Sequence, residues 1–264
     1  MKKLLPFLII ILNLIFTQIA SSTEFDELDK PPEGAHEGQI LLGAFVTLGL
    51  PYGDLINAEN DFLKGSTKTF DNDISKSFEV SHWAYSLGIS LEYMPVNHFG
   101  AGLRFKRTYI VQNTNFGSEY ENWKGYLYRD YSFIFAPAIH ATTRKTWDFV
   151  FTPLLGYSIA KVNATPVAKK ILVKKNTPPP DEKYSGDSAR DSKGFCYGAN
   201  LNCTIYFTGG LYISLGGEWL RQQINLNKGF NLTNPQTGRK YSAKTSSTLD
   251  IYSIIIAAGY AFSN

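Results

Sequence analysis

Apolar and polar side chains alternate over long stretches of this chain, most clearly in the segment Val80–Val111, where two arms flank a turn at 95–97. Successive side chains of a β-strand point to opposite faces, so each arm has one apolar face and one face of small or charged residues. A typical soluble strand has about 5–6 residues, whereas a tilted strand crossing a bilayer needs about 9–11. The apolar face consists of Trp83, Tyr85, Leu87, Ile89, Leu91 and Tyr93 in one arm and Phe99, Ala101, Leu103, Phe105, Tyr109 and Val111 in the other.

The same alternation predicts eight strands along the chain. Two of them carry a proline within the pattern, Pro137 and Pro153. Proline removes a hydrogen-bond donor from the ladder, so irregular pairing or a bulge is expected at these two positions. Besides the two arms of Val80–Val111, the predicted strands cover about 39–50, 125–141, 147–162, 195–207, 211–224 and 248–262.

The connections between these strands alternate between long and short along the whole chain. An up-and-down barrel with both termini on the periplasmic side has short turns there and longer loops outside, whereas a soluble sandwich has no reason to sort its loops in this way. The pattern therefore predicts an all-β fold, an eight-stranded antiparallel up-and-down transmembrane β-barrel with its apolar face toward lipid. The main soluble alternative is a lipocalin-like carrier with its apolar side chains inside. The long connections are 51–77, 113–124, 163–194 and 225–247.

The N-terminus has the features of a secretory signal peptide. Lys2 and Lys3 precede the apolar run Leu4–Ile19, and the small residues Ala20 and Ser22 occupy the −3 and −1 positions of a cleavage site. We expect a signal peptide over 1–22, although an uncleaved membrane anchor is the alternative. Residues 23–38 are acidic and lack periodicity, which predicts a short mobile periplasmic lead segment before the barrel domain at 39–264.

Composition narrows the classes of function. The formal net charge of +3 is too small to indicate a nucleic-acid partner, and nothing in the sequence indicates a cofactor or a metal. Cys196 and Cys203 lie on one predicted strand at an odd spacing, about 23 Å apart at 3.3 Å per residue. A disulfide needs Cα atoms within about 7 Å. We therefore expect two free thiols, the alternative being a disulfide across an irregular loop.

The last predicted strand alternates Tyr252, Ile254, Ile256, Ala258, Tyr260 and Phe262. With this strand, residues 39–262 resemble the small eight-stranded outer-membrane proteins of double-membraned bacteria, namely the OmpX-, OmpW- and OmpA-barrel-like families. The resemblance implies a location in the bacterial outer membrane, contact with membrane lipids and recognition of Tyr260 and Phe262 by the barrel-insertion machinery. The aromatic signal is displaced by two residues here, because Ser263 and Asn264 follow Phe262. No motif selects one of these families, so the resemblance assigns no functional residue.

Charged residues gather on the inward face of the predicted barrel. A narrow barrel has no room for bulk water, so these charges must pair. They form either a gate or proton path, or a salt-bridged solid interior; eight strands just accommodate side chains, which favours the solid interior. Within it, Glu92 is expected to pair with Arg104. The predicted interior cluster is Glu92, Arg104, Lys106, Asp130 and Glu218.

The loops and a Ser–His pair are the remaining candidates for chemistry. Lysines 169, 170, 174 and 175 are expected either to bind acidic surface ligands or to form a solvated loop. Ser81–His82 and Gly186–Ser188 resemble parts of a hydrolase site, but no Gly-x-Ser-x-Gly motif accompanies them. Neighbours such as Ser81 and His82 also point to opposite strand faces.

The sequence thus predicts a non-enzymatic outer-membrane barrel with a structural or surface-interaction role, rather than a wide porin. Two alternatives stay open at this point. One is a narrow conduit for small apolar molecules, which the OmpW-like resemblance allows. The other is the soluble lipocalin-like carrier.

Overall fold

The structure is a computed structural model that describes residues 34–58, 60–61, 79–115, 123–163, 189–227, 230–233, 240–243 and 246–262. A short helical segment covers residues 54–58. No helix in these ranges is both long and apolar enough to cross a bilayer. The strands are β1 (Ile40–Tyr52), β2 (Glu79–Val96), β3 (Phe99–Asn115), β4 (Trp123–Phe135), β5 (Ala138–His140), β6 (Trp147–Asn163), β7 (Ala189–Tyr206), β8 (Leu211–Asn225), β9 (Phe230–Thr233), β10 (Lys240–Ala243) and β11 (Ser246–Phe262).

The strands form a closed antiparallel ring. β4 and β5 together make one barrel strand, and each barrel strand pairs with its neighbours in the order β1, β2, β3, β4/β5, β6, β7, β8, β11. The ring closes where β11 pairs with β1, from Ile40 opposite Phe262 to Tyr52 opposite Asp250. β9 and β10 form a separate hairpin in the last long connection. The predicted eight-stranded antiparallel up-and-down barrel is therefore confirmed.

The apolar face of the barrel is its outside. Leu103 and Ile254 point outward and expose 61% and 62% of their surface. Lys106, Ser132 and Gln222 alternate with such outward residues along their strands and are fully buried. A lipocalin-like carrier would need the opposite arrangement, so that alternative is wrong. A closed barrel with a continuous apolar exterior satisfies its backbone hydrogen bonds internally and is suited to lipid. The chain is a membrane-spanning β-barrel.

The apolar belt has the height of a bilayer core. On β6 it extends from Trp147 to Tyr157, with Phe149, Phe151 and Leu155 exposed between them. At about 3.3 Å per residue and a strand tilt of about 40°, this span covers about 25 Å along the barrel axis. Outer-membrane barrels carry an apolar band of about 25 Å flanked by aromatic residues at both interfaces. The belt is bordered in the same way by Trp147, Tyr260 and Phe262 at the short-turn end and by Trp83, Tyr157, Trp219 and Tyr252 at the long-loop end.

The two prolines lie at one break in the barrel wall. Pairing of β4 with β6 ends at Phe135 opposite Leu155, and pairing of β5 with β6 resumes at Ile139 opposite Phe151. Pro137 and Pro153 fall within this gap on the two facing strands. Because neither residue has an N–H to donate, the ladder is interrupted there. The expected irregularity is thus confirmed.

β7 begins earlier than the sequence analysis predicted. The segment at 189–194, expected to belong to a loop, continues the pairing with β6 from Asn163 opposite Ala189 to Ser158 opposite Gly194. In this segment Ser192 is buried while Asp191 and Lys193 are exposed. Its exposed residues are charged rather than apolar, so the alternation of apolar residues that marks the membrane strands is absent here.

The end of the lead segment packs against the barrel instead of being mobile. Gly38 N–H donates to Met94 C=O at 2.8 Å, and Met94 N–H donates to Gln39 C=O at 2.9 Å. These bonds seat Ala35, which is fully buried in a cluster with Met94, Tyr206 and Tyr212. The prediction of a mobile segment is therefore wrong for 34–38, because small residues and backbone bonds hold it at the short-turn end. Residues 1–33, with the predicted signal peptide, lie outside the described residues.

Both cysteines are free thiols, as the spacing predicted. They lie in β7, where Cys196 is buried and Cys203 is half-buried. The odd spacing places them on opposite faces of the strand.

A charge in the centre of the apolar belt should prevent stable insertion. Ile89 lies on the outward face of β2 beside Ala44 and Phe105, and an arginine near the midplane costs about 2–4 kcal/mol. We expect Ile89→Arg to lower the fraction of heat-modifiable barrel in isolated membranes. Ser81→Arg is the matched control on the same face of β2, because Ser81 is exposed beyond Trp83. Equal insertion of the two variants would contradict this assignment of the belt.

Removal of the end of β11 should prevent barrel closure. Tyr260 and Phe262 pair with Leu42 and Ile40 and form the lower part of the closing seam. An open seam in lipid leaves backbone donors and acceptors without partners. We expect the chain lacking 260–264 to be exported but degraded or aggregated, whereas deletion of 263–264 alone should be tolerated. A folded, heat-modifiable barrel from the longer deletion would show that this seam is dispensable.

Candidate functional site

The barrel interior contains all five residues of the predicted charge cluster. Lys106, Asp130 and Glu218 are almost completely buried, and Arg104 and Glu92 are half-buried. Strand alternation places each on the inward face, because the residues before and after each one point outward. The inward position of the cluster thus follows from strand parity, but its pairing does not follow the predicted scheme.

An ion pair crosses the barrel from wall to wall. Lys106 Nζ on β3 contacts Glu218 Oε1 on β8, and these strands are opposite each other in the eight-membered ring. Arg104 adds a second cation, with Nη1 3.8 Å from Glu218 Oε2. Its guanidinium also lies 5.7 Å from the centre of the Phe45 ring. A single carboxylate therefore links two cations of one wall to the facing wall.

Asp130 is stabilised by hydrogen bonds instead of by an ion pair. Its carboxylate accepts the Thr108 backbone N–H at 2.9 Å, the Ser132 hydroxyl at 2.6 Å and the Gln222 amide at 2.6 Å. Gln222 lies on β8, one inward position beyond Leu220 and two beyond Glu218. Donors of this kind offset the cost of burying a carboxylate. Asp130 and Gln222 thereby form a second connection across the interior, between β4 and β8, which share no ladder.

Glu92 pairs with a histidine and not with Arg104, so the predicted Glu92–Arg104 pair is wrong. Glu92 Oε1 lies 2.7 Å from His140 Nε2, and Asp148 Oδ2 lies 2.5 Å from His140 Nδ1. Asp148 in turn accepts the Thr142 backbone N–H at 2.9 Å. His140 is therefore held between two carboxylates near the short-turn end. The reason for the difference is that these residues share a height in the barrel, which parity alone does not specify.

A small cavity separates the histidine cluster from the central ion pair. Its volume is about 60 Å³, and Glu92, Arg104, His140, Thr152 and Asn202 contribute to its lining. Thr152 Oγ1 and Asn202 Oδ1 have no protein partner among the described residues. A polar cavity of this size has room for a few water molecules. Below it, the buried residues Tyr206, Tyr212 and Ala35 cover the short-turn end.

Toward the long-loop end the interior contains apolar side chains among the buried polar ones. Leu55 and Ile56 of the segment at 54–58 are buried, and Asp54 accepts a hydrogen bond from Thr248 at 3.3 Å. The inward face is therefore not uniformly small or charged, as the alternation of the first hairpin had indicated. The apolar residues buried in this half are Ile110, Leu127, Val162, Leu220, Ile224, Leu249 and Ile251.

Neither the Ser81–His82 pair nor His140 is arranged for nucleophilic catalysis. Ser81 is exposed and His82 is buried, so the two point to opposite faces as expected. Both ring nitrogens of His140 contact carboxylates, which leaves neither free to accept a proton from a nucleophile. The Gly186–Ser188 candidate lies outside the described residues.

His140, Asp148 and Gln222 are interior residues that the sequence analysis did not include in the cluster. His140 and Asp148 flank the short turn at 141–146, and an antiparallel turn brings its two flanks together. Strand parity and the short turn together are therefore sufficient to predict that His140 and Asp148 meet in the interior. Gln222 gave no signal, because its partner on β4 depends on the stagger of strands that are distant in sequence.

Comparison with known proteins gives similarity in architecture alone. No family model matches the chain, and no curated protein matches it in sequence. It is similar to the outer membrane protein OprG from Pseudomonas aeruginosa, with a TM-score of 0.43, 11% identity and coverage of 89% of this chain and 100% of that chain.

Two further solved structures show the same kind of likeness. Ail, the attachment invasion locus protein of Yersinia pestis, has a TM-score of 0.39 and 13% identity, with coverage of 86% and 99% of the two chains. Neisserial surface protein A has a TM-score of 0.38 and 11% identity, with coverage of 84% and 97%. The pairing of the chain's own strands establishes the fold, an eight-stranded barrel of the outer-membrane type.

Proposed function

We propose that the protein is an integral barrel of the bacterial outer membrane with a structural or surface-interaction role and a closed interior. The observation that supports this proposal best is the Lys106–Glu218 ion pair, which joins opposite walls. Eight strands enclose a space that side chains fill. An ion pair in that space occupies the route that a solute would take.

The layers above and below the ion pair support the same proposal. Ala35, Tyr206 and Tyr212 cover the interior at the short-turn end. Toward the long loops, buried apolar and polar side chains such as Ile251 and Gln112 fill it. A solute crossing the barrel would have to displace all three layers. The interior is better suited to holding the wall rigid than to conducting solutes.

Surface interaction is the role that the long connections support. They leave the barrel at the same end, and one of them carries the β9–β10 hairpin. A rigid scaffold that displays loops at one end is a common basis for binding. Binding of acidic surface ligands by the loop lysines is part of this proposal, and those lysines lie outside the described residues.

A narrow conduit for small apolar molecules is the second candidate, and the proline break in the wall supports it. The interrupted ladder around Pro137 and Pro153 adjoins the cavity, whose lining includes Ala136, Val150 and Thr152. A barrel wall opens most easily where the hydrogen bonds between neighbouring strands are missing. A solute entering there would leave sideways into lipid instead of crossing the central ion pair.

Flux measurements distinguish the two candidates. We expect the purified barrel in liposomes to give no flux of small apolar solutes above that of empty liposomes, and no steady ion conductance in planar bilayers, because side chains fill its interior. Flux that disappears in Pro137→Val/Pro153→Val would overturn the closed-barrel proposal and support the conduit. Ala199→Val, next to Pro153 on the neighbouring strand, is the control for added volume on the outside.

The central ion pair should contribute strongly to stability. Removal of one partner of a buried pair leaves an uncompensated charge and costs about 3–5 kcal/mol. We expect Glu218→Gln to lower the free energy of unfolding by this amount in urea titrations in lipid vesicles, followed by tryptophan fluorescence. Glu92→Gln should cost less, because the Glu92 side chain is 19% exposed.

The double variant Lys106→Met/Glu218→Met is the control for this experiment. It removes both charges of the pair and keeps most of the buried volume, so it should recover part of the lost stability; the remaining loss reflects Arg104, which still lacks its Glu218 partner. A loss in Glu218→Gln no greater than that in Glu92→Gln would mean that the cross-barrel pair does not brace the wall.

A further inference from the structure

Three cations interrupt the outward face of the barrel on adjacent strands. Arg107 on β3 lies beside Tyr131 of β4, Arg129 on β4 lies opposite Tyr109 of β3, and Lys161 on β6 lies opposite Arg129. We call Arg107, Arg129 and Lys161 the basic patch. Charged side chains on the lipid-facing surface are costly near the midplane and least costly at the interface. The basic patch lies at the long-loop edge of the apolar belt, next to its tyrosines.

Another outward arginine shows how the barrel neutralises such a charge. Arg221 on β8 makes two hydrogen bonds with Asp250, from Nε at 2.8 Å and from Nη2 at 2.9 Å. The Trp219 indole also donates to Asp250 at 3.1 Å. The charge of Arg221 is thus paired with a carboxylate of the protein, and its guanidinium lies 5.9 Å from the centre of the Trp219 ring.

No member of the basic patch forms an ion pair of this kind with another described residue. Among the described residues, the ion pairs involve Arg104, Lys106, His140 and Arg221 but no member of the patch. Asp191 lies opposite Lys161 on β7 and is the one acidic residue in register with the patch. Arg129 and Lys161 are directly opposed like charges, an arrangement that destabilises a sheet unless an anion lies between them.

Arg107 is held in position by two aromatic rings and has no carboxylate partner among the described residues. Its guanidinium lies 4.9 Å from the centre of the Tyr109 ring and 4.8 Å from that of Tyr131. Its Nε is buried and has no hydrogen-bond partner. Cation–π contacts fix the plane of the guanidinium but do not satisfy its N–H groups. The rings therefore fix the position of a guanidinium whose charge has no counter-ion among the described residues, although the enclosed Nε itself is not open to an external ligand.

The groups around the basic patch match the two parts of a lipid. Polar groups lie at the patch, and apolar rings lie on its membrane side. Tyr126 and Tyr131 are exposed beside it, and Phe105 and Phe133 lie on its membrane side with ring centres 5.1 Å apart. An anionic headgroup on the patch would place its acyl chains along these phenylalanines. A soluble anion would use only the cations.

We propose that the basic patch binds the phosphate of a phosphorylated lipid in the leaflet on the long-loop side. Arginine binds phosphate with two parallel hydrogen bonds, and a phosphate between Arg129 and Lys161 removes their repulsion. The inference rests on the membrane orientation of this face. The lipid-binding proposal does not depend on whether the interior is closed, so a measured flux through the barrel would not contradict it.

Binding of phosphatidic acid by the mature barrel tests this proposal. The barrel is placed in phosphatidylcholine nanodiscs with a minor fraction of phosphatidic acid, and retained lipids are identified by native mass spectrometry. Diacylglycerol, which lacks the phosphate, is the matched lipid. We expect phosphatidic acid to be retained over diacylglycerol, and Arg107→Gln/Arg129→Gln to weaken its retention about tenfold, through the loss of charged hydrogen bonds.

Arg221→Gln is the matched control, because it removes an outward arginine whose partner is within the protein. It should leave the retention of phosphatidic acid unchanged. Equal weakening by Arg221→Gln, or unchanged retention in the double variant, would overturn the proposal. Displacement of the lipid by inorganic phosphate at comparable concentration would also overturn it, since the site would then be one for a soluble anion. If the double variant loses heat-modifiable migration, Lys161→Gln alone provides the measurement, with a smaller expected loss.

Discussion

The hydrogen-bonded seam between β1 and β11 is the constraint on which the rest of the structure depends. In lipid, every backbone donor and acceptor must find a partner within the protein, and only a closed ring achieves this with strands. The seam is continuous from Ile40–Phe262 to Tyr52–Asp250. Because the ring is closed, every strand has one face toward lipid and one toward a narrow interior. The alternation of apolar residues outside and buried polar residues inside is a direct consequence.

A closed ring of eight strands also determines what its interior can contain. The space is too narrow for bulk water, so inward charges need partners within side-chain reach, and the nearest ones are on other strands. Lys106 and Glu218 meet from opposite walls, and Asp130 and Gln222 make a second connection. These contacts join strands that share no ladder. The backbone seam holds the wall closed, and the interior contacts resist its flattening.

The sequence predicts those features that depend on residues close to one another along the chain. Parity acts between adjacent residues, so it predicted the strands, the outward apolar face, the inward position of Glu92, Arg104, Lys106, Asp130 and Glu218, and the free thiols. Partnership across the interior depends on the relative heights of strands, which are set by the stagger of the whole ring. The Glu92–Arg104 pair was wrong for this reason, since Glu92 meets His140. The packing of Ala35 at the short-turn end likewise depends on contacts with residues that are distant in sequence, and no local pattern indicates it.

The exceptions to parity carry the most information about function. Arg107 and Arg221 both break the apolar exterior, and both lie beside aromatic rings. Asp250 neutralises Arg221 within the protein, so this charge is part of the barrel's own structure. Arg107 has rings on two sides and no carboxylate partner among the described residues. A cation that the fold positions but does not neutralise, at the height where headgroups lie, is explained by an anion from the membrane. The outer surface thus differs from the interior. Inside, each charge of the cluster faces an opposite charge or a hydrogen-bonding group of the protein, whereas outside, we propose that one group of charges depends on the lipid.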